Sequence, residues 1–280
     1  LDVGGDLNGD GHVDLLVGAP GTSGSGGRVG RVYVLAGPVS GGALVDRASM
    51  VLEDSGTHRL GLQVAGVGDV DGDGTADWVA SDGSGQTLLM SGLPGGSATP
   101  ADAVATFAND KGVDAVFALG DLDNDGYDDV VVGAPGASSS TGEVYVVLGP
   151  VTGDITASSA DATLTGEATG DQAGRSITNA GDLDGDGAHD LVIGAYSHDT
   201  GGNNAGVAYL LHGPISGTVD LSTADARFDG DAKSQTGGSS LASGADVTGD
   251  SLDDVLIGAP GDDSADTDAG AAWVWAGLGL

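Results

Sequence analysis

The residues best equipped for chemistry lie in a nine-residue loop, Asp121-Leu122-Asp123-Asn124-Asp125-Gly126-Tyr127-Asp128-Asp129. Asp121, Asp123, Asp125 and Asp129 stand at loop positions 1, 3, 5 and 9. Four carboxylates this close repel one another unless a cation lies between them. Hard oxygen donors in that number suit Ca2+, which takes roughly 6–8 oxygens at about 2.3–2.6 Å. Gly126 allows the sharp turn, and Tyr127 at position 7 is expected to offer its backbone carbonyl.

The loop recurs four times. Asp6, Asn8, Asp10 and Asp14 form the first, with His12 at position 7. Asp69, Asp71, Asp73 and Asp77 form the second, with Thr75 at that position, and Asp182, Asp184, Asp186 and Asp190 the fourth, with Ala188. The fifth has Asp246, Thr248, Asp250 and Asp254, with Leu252 as carbonyl donor and Ser251 where the others have glycine. First aspartates are spaced by 63, 52, 61 and 64 residues. Five loops in phase, each leading into a short apolar run, are the signature of a repeat architecture.

Composition agrees. The 280-residue chain has 42 acidic and 8 basic residues, a net charge of −34. Such a balance argues against nucleic acid as a partner. Only Glu53, Glu143 and Glu167 are glutamates, so 39 acids are Asp, and 18 of these fill loop positions. The acidity is therefore largely a property of the loops. Five bound Ca2+ would leave −24. The 54 glycines suit many tight turns and argue against long helices. Without cysteine there are neither disulfides nor thiolate metal sites. No stretch has the ~18 apolar residues of a membrane span. The chain opens without Met and shows no signal peptide, as expected of a mature or excised fragment.

The elements that must position the loops are short strands. A weakly apolar strand is expected before each later loop: Leu60–Ala65, Asp114–Leu119, Gly174–Thr178 and Ser239–Ala242. The first repeat is expected to have lost most of this strand. After each loop comes an apolar run such as Val130–Val132 or Leu191–Ile193, read as a strand covered on both faces. Gly-Ala-Pro closes it in three repeats; the second has Ser81-Asp82-Gly83 instead. The polar connectors Thr22–Gly27, Ala137–Gly142, Ser197–Ala205 and Asp262–Ala269 lead to third strands. Tyr33, Tyr145, Tyr209, Trp273 and Trp275 on those strands are expected to pack between blades. Weaker fourth strands follow, except in the last repeat. Four short strands per ~60 residues is the pattern of propeller blades. The expected fold is all-β, a single β-propeller region over 1–280. Its blades run approximately over 1–57, 58–109, 110–170, 171–234 and 235–280.

Asp-x-Asp-x-Asp-Gly-x-x-Asp, an apolar run with Gly-Ala-Pro, and then Gly-x-Val-Tyr-Val resemble the FG-GAP repeat of the integrin alpha-chain β-propeller. The naming Phe-Gly is replaced by Leu60-Gly61, Ala173-Gly174 and Gly237-Gly238. The resemblance implies Ca2+ in four to five loops and radial blades in an extracellular or cell-surface protein, here expected to be of a bacterial, secreted type. Integrin propellers have seven blades, so five blades imply either a smaller ring or part of a larger propeller. In that family the face opposite the calcium loops carries ligands, which implies a protein or glycan partner at the connectors.

EF-hand and dockerin loops need a glutamate at position 12; here that position is Val17, Ala80, Val132, Ile193 and Ile257, inside strands. Asp-Gly turns without metal would not need carboxylates at 1, 3, 5 and 9. His189 at position 8 is expected to face solvent, and His58, His198 and His212 to be surface or turn residues. The glycine-rich stretch around Arg28 and Arg31 reads as a connector. No catalytic motif is found, and five near-identical sites favour structural calcium. The leading expectation is a non-enzymatic calcium-binding module for adhesion, protein interaction or extracellular assembly. The alternatives are a non-catalytic or substrate-binding propeller domain of an extracellular polysaccharide-active hydrolase or lyase, and carbohydrate binding through Trp273 and Trp275.

Overall fold

The computed structural model describes residues 1–24, 27–28, 30–43, 46–54, 59–82, 85–108, 115–233, 235–249, 252–263, 266 and 269–276. His58, Asp250 and Ser251 lie outside them. The chain divides into two compact units, Leu1–Gly120 with Gly126–Val131 and Val147–Ala160, and Asp121–Asp125 with Val132–Val146 and Asp161–Leu280.

The fold is all-β, as expected. Among the described residues the first unit holds two blade sheets, each grown outward from an antiparallel meander, besides the small pair Ser23–Gly24 and Gly27–Arg28. In one, Asp2–Gly5, Asp14–Gly18, Arg31–Leu35 and Met50–Glu53 pair in sequence order. The first repeat thus keeps its first strand, against expectation: Val3 pairs with Leu15 although little in Asp-Val-Gly-Gly has strand propensity. In the other, Gln63–Gly68, Asp77–Ser81, Gln86–Ser91 and Ala105–Ala108 repeat the scheme. The second unit has Ser176–Gly181, Asp190–Ala195, Val207–Leu211 and Ala226–Asp229, and then the three-stranded Ser240–Ala245, Asp254–Ala259 and Ala271–Trp275. The third repeat, with Ala115–Ala118, Val130–Ala134, Glu143–Val147 and Ala162–Thr165, is crossed by the boundary between units.

Three sheets carry a fifth strand that the sequence reading lacks. Gly96–Ala98, between the third and fourth strands of the second repeat, pairs in parallel with Met50–Glu53 of the first. Ile155–Thr156 and Gly217–Asp220 do the same for Ala105–Ala108 and Ala162–Thr165. Each strap covers the open edge of the preceding blade, the place where an unpaired strand invites aggregation.

The run after the loop is buried along its whole length in Asp77–Ser81, Val130–Ala134 and Asp190–Ala195. In the fifth repeat the corresponding strand leaves Leu256 40% exposed. Tyr33, Tyr145 and Tyr209 are buried on third strands, as expected for packing residues. The Tyr209 hydroxyl donates to Glu167 Oε1 at 2.9 Å.

Blades within a unit touch backbone to backbone. A Cβ on Gly18 would lie 2.1 Å from the carbonyl oxygen of Gly61. Gly133 and Gly194 stand in the same relation to Gly174 and Gly238, each at 2.1 Å. The glycine before Ala at the end of the second strand, Gly18, Gly133 or Gly194, therefore faces the glycine that stands where Phe-Gly would in the next repeat. This contact explains why both are glycine, since any side chain would hold the blades apart.

Candidate metal centre

In the first, second and fourth repeats the loop begins where its first strand slips out of register. The pairing shifts at Val3/Gly5, Gly66/Gly68 and Asn179/Gly181. Gly5, Gly68 and Gly181 have positive φ and stand directly before Asp6, Asp69 and Asp182. A bulge of this kind bends the strand and aims the next residue away from the sheet. The aspartate at position 1 is thereby turned into the loop rather than along the ladder.

Inside the loops the carboxylates fold the backbone around themselves. Asp6 accepts from the amides of Asp10 and Gly11 at 3.0 and 2.8 Å, and Asp10 accepts from His12 N at 2.9 Å. Asn8 Oδ1 accepts from Asp10 N at 2.9 Å. In the second loop Asp69 accepts from Gly72 and Gly74, Asp71 from Asp73, and Asp73 from Thr75. In the fourth, Asp182 accepts from Gly185, Asp186 and Gly187, Asp184 from Asp186, and Asp186 from Ala188. In the third, Asp125 N donates to Asp121 and Asp123 at 3.1 and 3.2 Å. In the fifth, Asp246 accepts from Gly249 N at 2.5 Å. These turns draw carboxylate oxygens together: those of Asp69, Asp71 and Asp77, and those of Asp182, Asp184 and Asp186, approach within 4.8 Å of one another. The oxygen-only donor set and its spacing fit a hard divalent cation.

Position 9 has a second task. Asp14, Asp77, Asp129, Asp190 and Asp254 are buried. Asp14 accepts from Leu7 N at 3.0 Å and Gly37 N at 2.7 Å; Asp190 accepts from Leu183 N at 2.7 Å and Gly213 N at 3.0 Å. Asp77 and Asp129 hold Gly92 N and Gly149 N in the same way, while Asp254 holds the amides of Val247 and Thr248. In the first, second and fourth loops one carboxylate thus ties the loop's start to the end of the third strand. Position 2 supplies an apolar plug: Leu7, Val70, Leu122 and Leu183 are buried, whereas Val247 is 54% exposed.

Successive loops are laced together within each unit. Ala76 N donates to Asp6 O, and Asp128 N to Asp69 O. Asp69 N returns a bond to Asp128 Oδ2 at 2.8 Å. Tyr127 lies with its ring against Gly72. In the second unit His189 N donates to Leu122 O, and the Asp253 carboxylate lies against Gly181.

The histidines depart from expectation. His189 is half-buried, with Nδ1 2.9 Å from Asn179 Nδ2. His198 is 5% exposed and contacts Thr200, with Glu167 and Asp171 beyond. His212 lies beside the fourth loop rather than on a free turn. Arg31 is paired with Glu53 at 2.9 Å.

Electrostatics record the crowding. Burial, with the Asp71 charge added, pushes Asp77 up to about 6 from an ordinary 3.8. Burial also raises Asp123, again with help from neighbouring aspartates. A carboxyl raised on folding binds its proton more tightly in the folded state, so ionisation destabilises that state. The Asp77 contribution therefore makes the metal-free chain less stable as pH rises from 3.8 to about 6. Melts of the metal-free chain are expected to show a higher midpoint at pH 5 than at pH 7, and Asp77→Asn to flatten that trend. Identical profiles for the two proteins would contradict it.

Antiparallel sheets of three to five strands, with an aspartate loop between the first two strands, are blades of the β-propeller type. The chain belongs to the FG-GAP repeat family, whose profile matches residues 1–35, 115–147, 173–211 and 237–275, just over half of it. The second repeat lies outside those matches and stands on its own geometry. Human integrin alpha-IIb is 29% identical over 221 residues, covering 79% of this chain and 16% of that protein. Integrin alpha pat-2 of Caenorhabditis briggsae is 28% identical over 226 residues, 72% of this chain and 18% of the relative. Rat phosphatidylinositol-glycan-specific phospholipase D is 32% identical over 264 residues, 91% of this chain and 25% of the enzyme. The chain thus spans a quarter or less of the length of these relatives. Among the described residues no helix is long and apolar enough to cross a membrane.

Proposed function

We propose that this chain is a non-enzymatic, calcium-binding propeller region that works in adhesion, protein interaction or assembly at the cell surface. The observation that carries the reading is the repeated loop whose carboxylate oxygens converge within 4.8 Å of one another, as in Asp69, Asp71 and Asp77 and in Asp182, Asp184 and Asp186. Asp6, Asp69, Asp121, Asp182 and Asp246 would open five such sites. The likeness to two integrin alpha chains supports the adhesive role. Millimolar Ca2+ outside cells suits weak repeated sites. The chain's polar 2–3 connectors, at the ends of the strands away from the loops, would form the face for a protein or glycan ligand.

A second reading has its own support. The match to the rat phospholipase D covers 91% of this chain, so the same blades could serve as a non-catalytic domain beside a hydrolase. A panel of matrix proteins and glycans, probed in millimolar Ca2+, separates the two. Adhesion predicts calcium-dependent binding that is lost when Ala137–Gly142 or Ser197–Ala205 is replaced by a neutral linker. Binding that survives both replacements, or hydrolysis of a phosphatidylinositol glycan by this chain alone, would overturn the reading.

A further inference from the structure

Among the described residues, the fourth loop alone has a histidine grouped with its carboxylates. His212 directly precedes Gly213, whose amide is held by Asp190. The residues before Gly37, Gly92 and Gly149, held by the other position-9 aspartates, are Ala36, Ser91 and Leu148. None of these offers a nitrogen ligand. His212 Nδ1 lies 3.2 Å from Asp190 Oδ1 and 3.4 Å from Asp184 Oδ2. The imidazole is 29% exposed, but Nδ1 itself is shut off from solvent and makes no hydrogen bond. A buried imidazole nitrogen without a partner is costly unless something occupies its lone pair.

The spacing points to what that is. Two ligand atoms on one ion, each at about 2.1 Å, lie roughly 3.0–3.4 Å apart at octahedral or tetrahedral angles. Both measured separations fall in that interval. A cavity of about 120 Å³ adjoins two of the donors, Asp184 and His212, and is bounded by Leu183, Leu210 and Trp275, with room for water to complete the coordination.

We infer that the fourth loop is a mixed nitrogen–oxygen site for a first-row transition ion, held by Asp184, Asp190 and His212 Nδ1. Among the described residues, the other carboxylate clusters contain no histidine. The inference rests on the reading that these loops take divalent cations. Imidazole beside carboxylate shifts preference toward Mn2+ or Zn2+ over Ca2+, which takes oxygen ligands. The physical rival is a proton, which would make His212 an imidazolium paired with the same carboxylates.

Mn2+ is the probe, added to the full chain and read by pulsed electron paramagnetic resonance. One Mn2+ per chain is expected to show coupling to a directly bound imidazole nitrogen. His212→Ala is expected to abolish that coupling and weaken this site for Mn2+ by about tenfold or more, with Ca2+ binding at the other loops unchanged. His212→Gln, which keeps the volume, gives the same readout should the alanine variant fail to fold, and His189→Ala is expected to keep the coupling. Mn2+ bound without nitrogen coupling, or coupling that survives loss of His212, overturns this inference alone. A chain that binds neither Mn2+ nor Ca2+ overturns the loop reading with it.

Discussion

Removal of divalent cations by a chelator is expected to lower the melting midpoint by about 10 °C or more. Each loop held about 100-fold above its dissociation constant contributes ~2.7 kcal/mol. A domain of this size shifts roughly 2–4 °C per kcal/mol, so even one loop is visible. The loops are also laced to one another through Ala76, Asp128 and His189. Emptying one therefore loosens the backbone bonds that hold the next, and loss is expected to be cooperative. Strand content is expected to fall less than the midpoint, because the buried position-9 aspartates keep their amide partners without metal. Calorimetry in millimolar Ca2+ and then in excess chelator tests this, and superimposable melts would contradict it.

A methyl group at the blade contact is expected to be nearly as damaging. Gly194→Ala places a Cβ 2.1 Å from the carbonyl oxygen of Gly238 and 2.2 Å from Ser176 Oγ. The hydroxyl can rotate away, but the carbonyl belongs to the next blade's backbone and cannot move alone. Overpacking of this kind costs about 3 kcal/mol or more where the backbone cannot yield. Gly21→Ala is the control, since a Cβ there meets nothing within 4 Å, and its effect is expected to stay within about 0.5 kcal/mol. Denaturant titrations in saturating Ca2+ compare the two. Equal midpoints would show that the glycine pair does not set the distance between blades.

Much of this was legible in the sequence because it is local. Carboxylate spacing within nine residues marks a loop, and a run such as Val130–Val132 marks a strand covered on both faces. What escaped depends on partners far along the chain. Gly217–Asp220 is short and mostly exposed, and it becomes a strand only against Ala162–Thr165. The strand expected at Leu60–Ala65 lies instead at Gln63–Gly68, because Leu60 and Gly61 are engaged with Gly30 and Gly18 of the preceding blade. The apolar residue at position 2 recurs in all five loops and could have been read as a core plug. The clamp between position 9 and the glycine after the third strand also recurs, at a separation of 15–23 residues. His212 gave no sequence signal, since only the fold brings it beside Asp184 and Asp190.

Equilibrium dialysis of the intact chain against radioactive calcium at millimolar concentration addresses the central claim most directly. The expected result is one ion per aspartate loop, four to five in all, with one lost for each of Asp6→Ala, Asp69→Ala, Asp121→Ala and Asp182→Ala. A chain that retains one ion or none, folded and unaffected by those substitutions, would contradict it.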